Sequence, residues 1–177
     1  EQALVALAER MRGAVAFEAR FVGIYSGGAW IAERLAQMID GDHPVGYIDV
    51  SFYRDDFSRK GLKPEVKRST LPFAVEGATI VLIDDVLYTG RSVRAAINEL
   101  FDYGRPARVE LAVLVDRGGR ELPIYPTYAG VRLAVASEGR SEWTIDDPDE
   151  VVPAFAIVEA VRAVHDPRAL RLEQQQR

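Results

Sequence analysis

The sequence predicts a single α/β domain in which a central, mostly parallel sheet is flanked by helices. Two observations predict this fold class. Apolar runs with strand patterns alternate with runs of helical periodicity along most of the chain. The 177 residues, of which 48% are hydrophobic and 28% charged, also suit one globular domain with a sizeable core. We therefore expect residues 1–177 to form one domain.

Five segments carry strand patterns. In chain order, the predicted strands are residues 21–25, 47–53, 79–83, 108–115 and 131–136, with the last as a final edge strand. Residues 79–83 are almost uniformly apolar, which is typical of a strand buried on both faces, whereas residues 47–53 alternate as a half-buried strand does.

Helical spacing of apolar residues marks the segments between these strands. The predicted helical faces are Leu4, Leu7, Ala8 and Met11; then Trp30, Ile31, Leu35, Met38 and Ile39; and then Val93, Ala96, Ile97, Leu100 and Phe101. Gly104 and Pro106 predict the end of the last helix. Residues 151–164 form a further apolar helical run, and residues 165–177 are expected to be a C-terminal tail. His43 and His165 lack metal-ligating companions, so we expect ordinary surface or loop residues.

Composition restricts the class of protein. The chain has no cysteine, no apolar run of membrane-spanning length and no secretory signal pattern, so we expect a cytoplasmic protein without membrane contact. The net charge is −5, yet residues 54–68 contain all three lysines and carry six basic against three acidic residues. The net charge of this segment is therefore +3 and that of the remainder −8. This distribution favours a small polyanionic ligand over broad nucleic-acid binding.

The stretch from residue 79 to residue 104 carries the strongest functional pattern. A buried strand is followed by Asp84 and Asp85, then by a short loop and a helix start. Such a helix start offers backbone N–H groups and a partial positive charge to an anion. The predicted cradle comprises Val86, Leu87, Tyr88, Thr89, Gly90, Arg91 and Ser92. Two carboxylates beside a phosphate site suit sugar hydroxyls or Mg²⁺, so the pattern predicts a phosphorylated ribose. The alternative is a buried strand followed by an ordinary capped helix.

Two other stretches have two interpretations each. Ser26, Gly27 and Gly28 lie between a strand and a helix, where they could form either a second anion site or a plain glycine turn. Residues 54–78 form a long, charged connection with weak periodicity, which is typical of a functional or mobile loop but also of a solvated basic hairpin.

The segment from Ile83 to Ser92, IDDVLYTGRS, resembles the 5-phosphoribosyl-1-pyrophosphate (PRPP) motif of the type I phosphoribosyltransferases. It is most similar to the family of bifunctional pyrimidine-operon regulators and uracil phosphoribosyltransferases. The resemblance extends to YRDD at residues 53–56 and to VDRG followed by RELPI in residues 115–124. It implies the type I phosphoribosyltransferase fold with a long flexible loop over residues 54–78 and a small hood.

The resemblance also implies an activity, in which uracil and PRPP react to give UMP and pyrophosphate. Asp84 and Asp85 would hold the ribose hydroxyls and reach Mg²⁺ through the ribose or water. The TGRS loop would hold the 5′-phosphate, Ser26 to Gly28 the pyrophosphate, and Arg54 would serve catalysis from the flexible loop. Val115, Asp116 and Arg117 would contact the base, unless Asp116 and Arg117 merely pair across a turn. Tyr88 favours a pyrimidine, because purine-salvage relatives usually carry an acidic residue there.

This sequence departs from the family pattern in two places. Many relatives have Thr-Arg-Gly where this chain has Ser26-Gly27-Gly28, and relatives often have His at the position of Gly119. The missing arginine raises the alternative of a nucleotide sensor with little catalysis. Relatives also bind pyrimidine-operon leader RNA and form dimers or larger assemblies. Residues 138–150 carry six acidic residues against Arg140 alone, which argues against an RNA face on this segment.

Overall fold

The computed structural model describes residues 2–25, 27–50, 69–135 and 141–144. These residues form the strands β1 (Arg20–Ile24), β2 (Val45–Ile48), β3 (Thr79–Leu87), β4 (Arg108–Asp116), β5 (Tyr128–Val135) and β6 (Ser141–Thr144). One sheet contains them in the order β2-β1-β3-β4-β5-β6. The first five strands pair in parallel, and β6 pairs antiparallel with β5. The predicted α/β fold with a mostly parallel sheet is thereby confirmed.

The described part of the chain also forms three helices, which cover the two faces of this sheet: α1 (Gln2–Met11), α2 (Gly27–Met38) and α3 (Arg91–Asp102). Successive strand residues point to opposite faces, and β3 shows this clearly. Val81 and Ile83 pack with α1 and α2, whereas Ile80 and Leu82 pack with α3 on the other side. None of these helices has the length and apolar character that crossing a membrane requires.

Several element boundaries differ from the sequence prediction. β3 continues to Leu87, so Asp84 and Asp85 belong to the strand and do not follow it. The prediction that residues 131–136 form a final edge strand is wrong, because β5 lies between β4 and β6. The sequence of β6 is SEWT, four residues without an apolar alternation that would reveal a strand. β2 begins at Val45, two residues before the predicted start.

Two side chains lie where the sequence did not place them. Phe101 was expected on the buried face of α3 but is 50% exposed, because it follows the buried Leu100 and lies about 100° further around the helix. His43 was expected to be an ordinary surface or loop residue; it lies in the loop before β2, but its side chain is buried. Its ring stacks on Phe21 with centroids 4.4 Å apart, and its Nδ1 lies 2.9 Å from the carbonyl oxygen of Ala19.

Residues 69–78, the last part of the long connection, are attached to the domain. Thr70 and Tyr47 exchange two backbone hydrogen bonds of 2.8 Å in an antiparallel bridge. The Ser69 hydroxyl accepts a 3.0 Å hydrogen bond from the N–H of Asp49 and donates to Glu99 of α3. Residues 54–68 and the predicted tail over 165–177 lie outside the described residues.

A buried polar group at the amino end of β4 yields a stability prediction. Glu110 accepts a 3.0 Å hydrogen bond from the Tyr128 hydroxyl and pairs with Arg108 at 2.8 Å. Burial, followed by the hydrogen bond to Glu110, raises the pKa of Tyr128 from 10.0 to about 12. The neutral phenol is thus favoured in the folded state. Its contribution to stability is present below pH 10 and is lost as the pH rises from there to about 12.

We expect Tyr128→Phe to lower the free energy of unfolding at pH 8 by about 1–3 kcal/mol, because it removes a donor to a buried carboxylate. The deficit relative to the wild type should shrink between pH 10 and 12, since only the wild type loses stability there through this group. Urea unfolding of both proteins at pH 8 and pH 11 measures the two deficits. A deficit that grows with pH would contradict the assignment.

Candidate active site

The predicted phosphate cradle lies at the carboxyl end of β3, next to the N-terminus of α3. β3 ends at Leu87, three loop residues follow, and α3 begins at Arg91. Gly90 has φ +92°, in the left-handed region that glycine adopts without strain. The Thr89 hydroxyl accepts a 3.3 Å hydrogen bond from the N–H of Arg91. The geometry therefore has the strand, tight turn and helix N-terminus that an anion site requires.

The acidic pair of β3 is buried just before this loop. Asp84 is 3% and Asp85 4% exposed. Asp84 Oδ1 accepts the N–H of Asp85 at 2.9 Å, and Asp85 Oδ1 accepts the N–H of Val86 at 2.8 Å. Because consecutive strand residues alternate, the two carboxylates leave β3 on opposite faces, with Asp85 on the face covered by α2. The backbone hydrogen bonds hold both carboxylates in fixed orientations.

The second predicted loop contacts this acidic pair. α2 begins at Gly27, and an added Cβ there would lie under 3.0 Å from Asp85 Oδ2. An added Cβ on Gly28 would lie equally close to the carbonyl oxygen of Ile83. The segment that runs from β1 into α2 and the segment that runs from β3 into α3 therefore meet at Asp85. In this arrangement there is no room for a side chain at position 27, where many relatives carry the arginine. Ser26 lies outside the described residues.

One tyrosine directly follows β1, and a second lies within the adjacent strand β2. Tyr25, directly after β1, stacks on Tyr47 with ring centroids 5.4 Å apart, and Tyr47 donates a 2.6 Å hydrogen bond to Glu33. Burial, then the hydrogen bond and charge of Glu33, raises the pKa of Tyr47 to about 12. Burial, then the charges of Glu33 and Asp49, also raises the pKa of Tyr25. Both phenols therefore remain neutral hydrogen-bond donors at physiological pH.

The turn after β4 packs against the phosphate loop. The Arg117 guanidinium carbon lies 4.3 Å from the centre of the Tyr88 ring. Gly119 has φ +70°, and an added Cβ would lie 2.5 Å from the same ring. Asp116 pairs with Arg120, so the alternative in which Asp116 merely pairs with Arg117 is not observed. The Tyr88 ring therefore covers the place that a side chain at position 119 would need.

Val115 differs from the other predicted base contacts. Its side chain is 2% exposed and belongs to the core cluster that includes α1 and α2. Only its backbone could reach a ligand.

Arg120 was not singled out from the sequence, because an arginine in a Gly-Gly-Arg-Glu turn has the local pattern of an exposed residue. The structure shows its side chain only 11% exposed.

The predicted Mg²⁺ site fits the described residues only in part. The residues described contain no group of three or more His, Cys, Asp or Glu side chains placed to hold a metal. Asp84 and Asp85 offer carboxylate oxygens, the ligands that Mg²⁺ prefers, and Mg²⁺ is commonly held by one or two carboxylates together with substrate phosphates. The pair therefore suits an ion that arrives with a polyphosphate ligand. Arg54, the third predicted catalytic residue, lies outside the described ranges.

Comparison with known proteins identifies the family of this chain. Residues 7–142 match the family model for the phosphoribosyl transferase domain. The bifunctional protein PyrR of Ralstonia nicotianae is 57% identical over 138 residues, covering 77% of this chain and 79% of that protein. The bifunctional protein PyrR of Pseudomonas fluorescens is 55% identical over 123 residues, covering 70% and 73%.

Solved structures agree at the level of the fold. A purine phosphoribosyltransferase from Pyrococcus horikoshii matches with a TM-score of 0.54 and 28% identity, covering 73% of this chain and 79% of that chain. A hypoxanthine-guanine phosphoribosyltransferase from Bacillus anthracis matches with a TM-score of 0.59 and 18% identity, covering 74% and 79%. The family model and the sequence relatives show that the chain belongs to the phosphoribosyltransferase domain family and, within it, to the family of the bifunctional PyrR proteins.

Proposed function

We propose that the protein is a uracil phosphoribosyltransferase that makes UMP and pyrophosphate from uracil and PRPP, and that it also regulates pyrimidine genes in response to UMP. The observation that carries the proposal is the meeting of two strand-loop-helix passages at Asp85. One helix start can hold the 5′-phosphate and the other the pyrophosphate, with the acidic pair between them. A ligand with phosphates at both ends of a ribose suits this arrangement.

The chemistry then depends on charge and position. Uracil N1 attacks C1 of PRPP, the bond from C1 to the pyrophosphate oxygen breaks, and the uracil proton is lost, most simply before attack if uracil binds as its anion. Positive charge develops on the ribose, where Asp84 and Asp85 would stabilise it while holding the hydroxyls. Mg²⁺ bound with the pyrophosphate would neutralise the leaving group. Asp116 and Arg117 would orient the base, and Arg54 would act from the loop over residues 54–78.

A direct assay tests the proposal. Radiolabelled uracil is incubated with PRPP and Mg²⁺, with parallel reactions containing hypoxanthine or orotate. We expect UMP to form from uracil and expect no comparable product from the other two bases. PRPP binding without UMP formation would instead favour the sensor with little catalysis.

The preference for a pyrimidine depends on Tyr88. Its ring lies against both Arg117 and Gly119, and it offers an aromatic ring and a hydroxyl but no carboxylate to accept a purine N7 proton. We expect Tyr88→Asp to lower uracil turnover about fivefold, the change in rate that corresponds to losing about 1 kcal/mol of cation–π contact. Tyr88→Phe keeps the ring and should retain most of the activity. Faster uracil turnover by Tyr88→Asp would argue against this basis for discrimination.

The alternative function is that of an RNA-binding transcription attenuator. The relatives named above are called bifunctional, which favours a second role beside catalysis. Filter binding of pyrimidine-operon leader RNA at two salt concentrations, with and without UMP, tests it. Tight, salt-sensitive and UMP-responsive binding would support the regulator, because phosphate contacts make RNA affinity depend on salt.

A further inference from the structure

Arg120 has an environment unlike that of a surface arginine. Its Nε donates to the carbonyl oxygen of Ile124 at 2.9 Å, and its Nη2 donates to the carboxylate of Asp116. Its Nη1 lies 2.8 Å from the carbonyl oxygen of Tyr88, and 3.2 Å from those of Leu87 and Gly118. All three guanidinium nitrogens are thus engaged, and the charge is paired with a carboxylate that is itself 14% exposed.

These acceptors belong to two different parts of the candidate site. Leu87 and Tyr88 lead into the phosphate loop, whereas Asp116 ends β4 and Gly118 and Ile124 belong to the turn that follows it. Backbone hydrogen bonds join the same two segments. The N–H groups of Glu121 and Leu122 both donate to the carbonyl oxygen of Thr89 at 3.1 Å. Among the described side chains, Arg120 donates hydrogen bonds to both segments while only 11% exposed.

The planar fork of the guanidinium makes this connection specific. Arginine presents five N–H groups in fixed directions, so it can hold several carbonyl oxygens at set distances from one another. Lysine keeps the charge but concentrates its donors on one nitrogen, which cannot reach acceptors on both segments with the same geometry. Arg91, which also lies at this boundary, pairs with Glu121 at 2.5 Å, but both side chains are about half exposed. That exposed ion pair therefore constrains the relative position of the two segments much less.

We propose that Arg120 is a positioning residue that fixes the turn after β4 relative to the phosphate loop. This inference depends on the proposed function, in which the loop holds the ribose phosphate and the turn holds the base. Loss of this connection should therefore affect some ligands and not others. A ligand that occupies only the phosphate loop should not depend on the relative position of the two segments. A nucleotide that spans both should depend on it strongly.

The test compares the binding of ribose 5-phosphate and of UMP to the full chain by calorimetry at 25 °C. For Arg120→Lys we expect ribose 5-phosphate affinity within threefold of the wild type and UMP affinity reduced by about tenfold or more, the scale of misplacing part of a bound ligand. In steady-state assays, the same variant should raise the KM for uracil more than the KM for PRPP. Arg120→Gln, which retains a long polar side chain without a buried charge, is the second variant and carries the same expectation if Arg120→Lys does not fold.

Arg108→Lys is the matched control. It alters another arginine that pairs with a buried acid on β4, but at the amino end of the strand, away from the site. We expect it to leave both affinities within twofold. Equal losses for both ligands in the Arg120 variants, or no loss for UMP, would overturn the inference. If the wild type binds ribose 5-phosphate but neither binds nor makes UMP, the proposed function itself fails, whatever the variants do.

Discussion

Asp85→Asn is expected to lower the rate of UMP formation by about 10²–10³-fold, the loss found when one preorganised electrostatic group is removed from an active site. The substitution replaces one oxygen by a nitrogen of similar size. The side chain can still accept the N–H of Val86, as Asp85 Oδ1 does at 2.8 Å. What it removes is the negative charge that we propose lies beside the ribose. The double variant Asp84→Asn, Asp85→Asn should lose PRPP binding as well.

Radiolabelled uracil turnover and calorimetric PRPP binding measure the two effects. Asp102→Asn, at the exposed C-terminus of α3, changes the net charge equally and serves as the control, with activity expected within twofold. Unchanged PRPP binding and turnover in the double variant would remove the basis for assigning the acidic pair to the ribose, regardless of family membership.

The periodic elements of the fold were predictable because their patterns are local. The stripe Leu4, Leu7, Ala8 and Met11 is buried in α1 as expected. β1 lies within one residue of its predicted position. Elements whose existence depends on tertiary partners were not predictable. β6 forms by pairing with β5, and His43 is buried because its loop packs back against Phe21.

In the candidate site, too, local features were predictable from the sequence and contacts between distant segments were not. The IDDVLYTGRS segment combines a strand, an acidic pair and a helix start in ten consecutive residues, so its character is visible in the sequence. The role of Arg120 is not, because its acceptors lie on segments about thirty residues apart in the chain. The contact between Gly27 and Asp85 is equally non-local, and only the parallel pairing of β1 with β3 brings those residues together.

That contact leads to the second large expected effect, the loss of function in Gly27→Ala. The added Cβ would lie under 3.0 Å from Asp85 Oδ2, so either the α2 N-terminus or the carboxylate must move. We expect destabilisation by about 1–3 kcal/mol, as is usual for overpacking, and PRPP affinity reduced by about tenfold or more. Gly27→Arg, which introduces the residue that many relatives carry there, should likewise fail to raise the affinity for pyrophosphate.

A double-mutant cycle separates this clash from a general effect on α2. In an Asp85→Gly background both the carboxylate and the Cβ, which lies 2.9 Å from the added Cβ, are absent. Adding Gly27→Ala there should cost less than about 0.5 kcal/mol of further stability, whereas the same change in the wild type costs the full amount. Urea unfolding of the four proteins gives the interaction energy. Additive costs would place the strain elsewhere in the α2 N-terminus. Strong coupling would mean that the Asp85 carboxylate and the α2 N-terminus act as one unit, and that a residue larger than glycine at position 27 requires a different arrangement of Asp85.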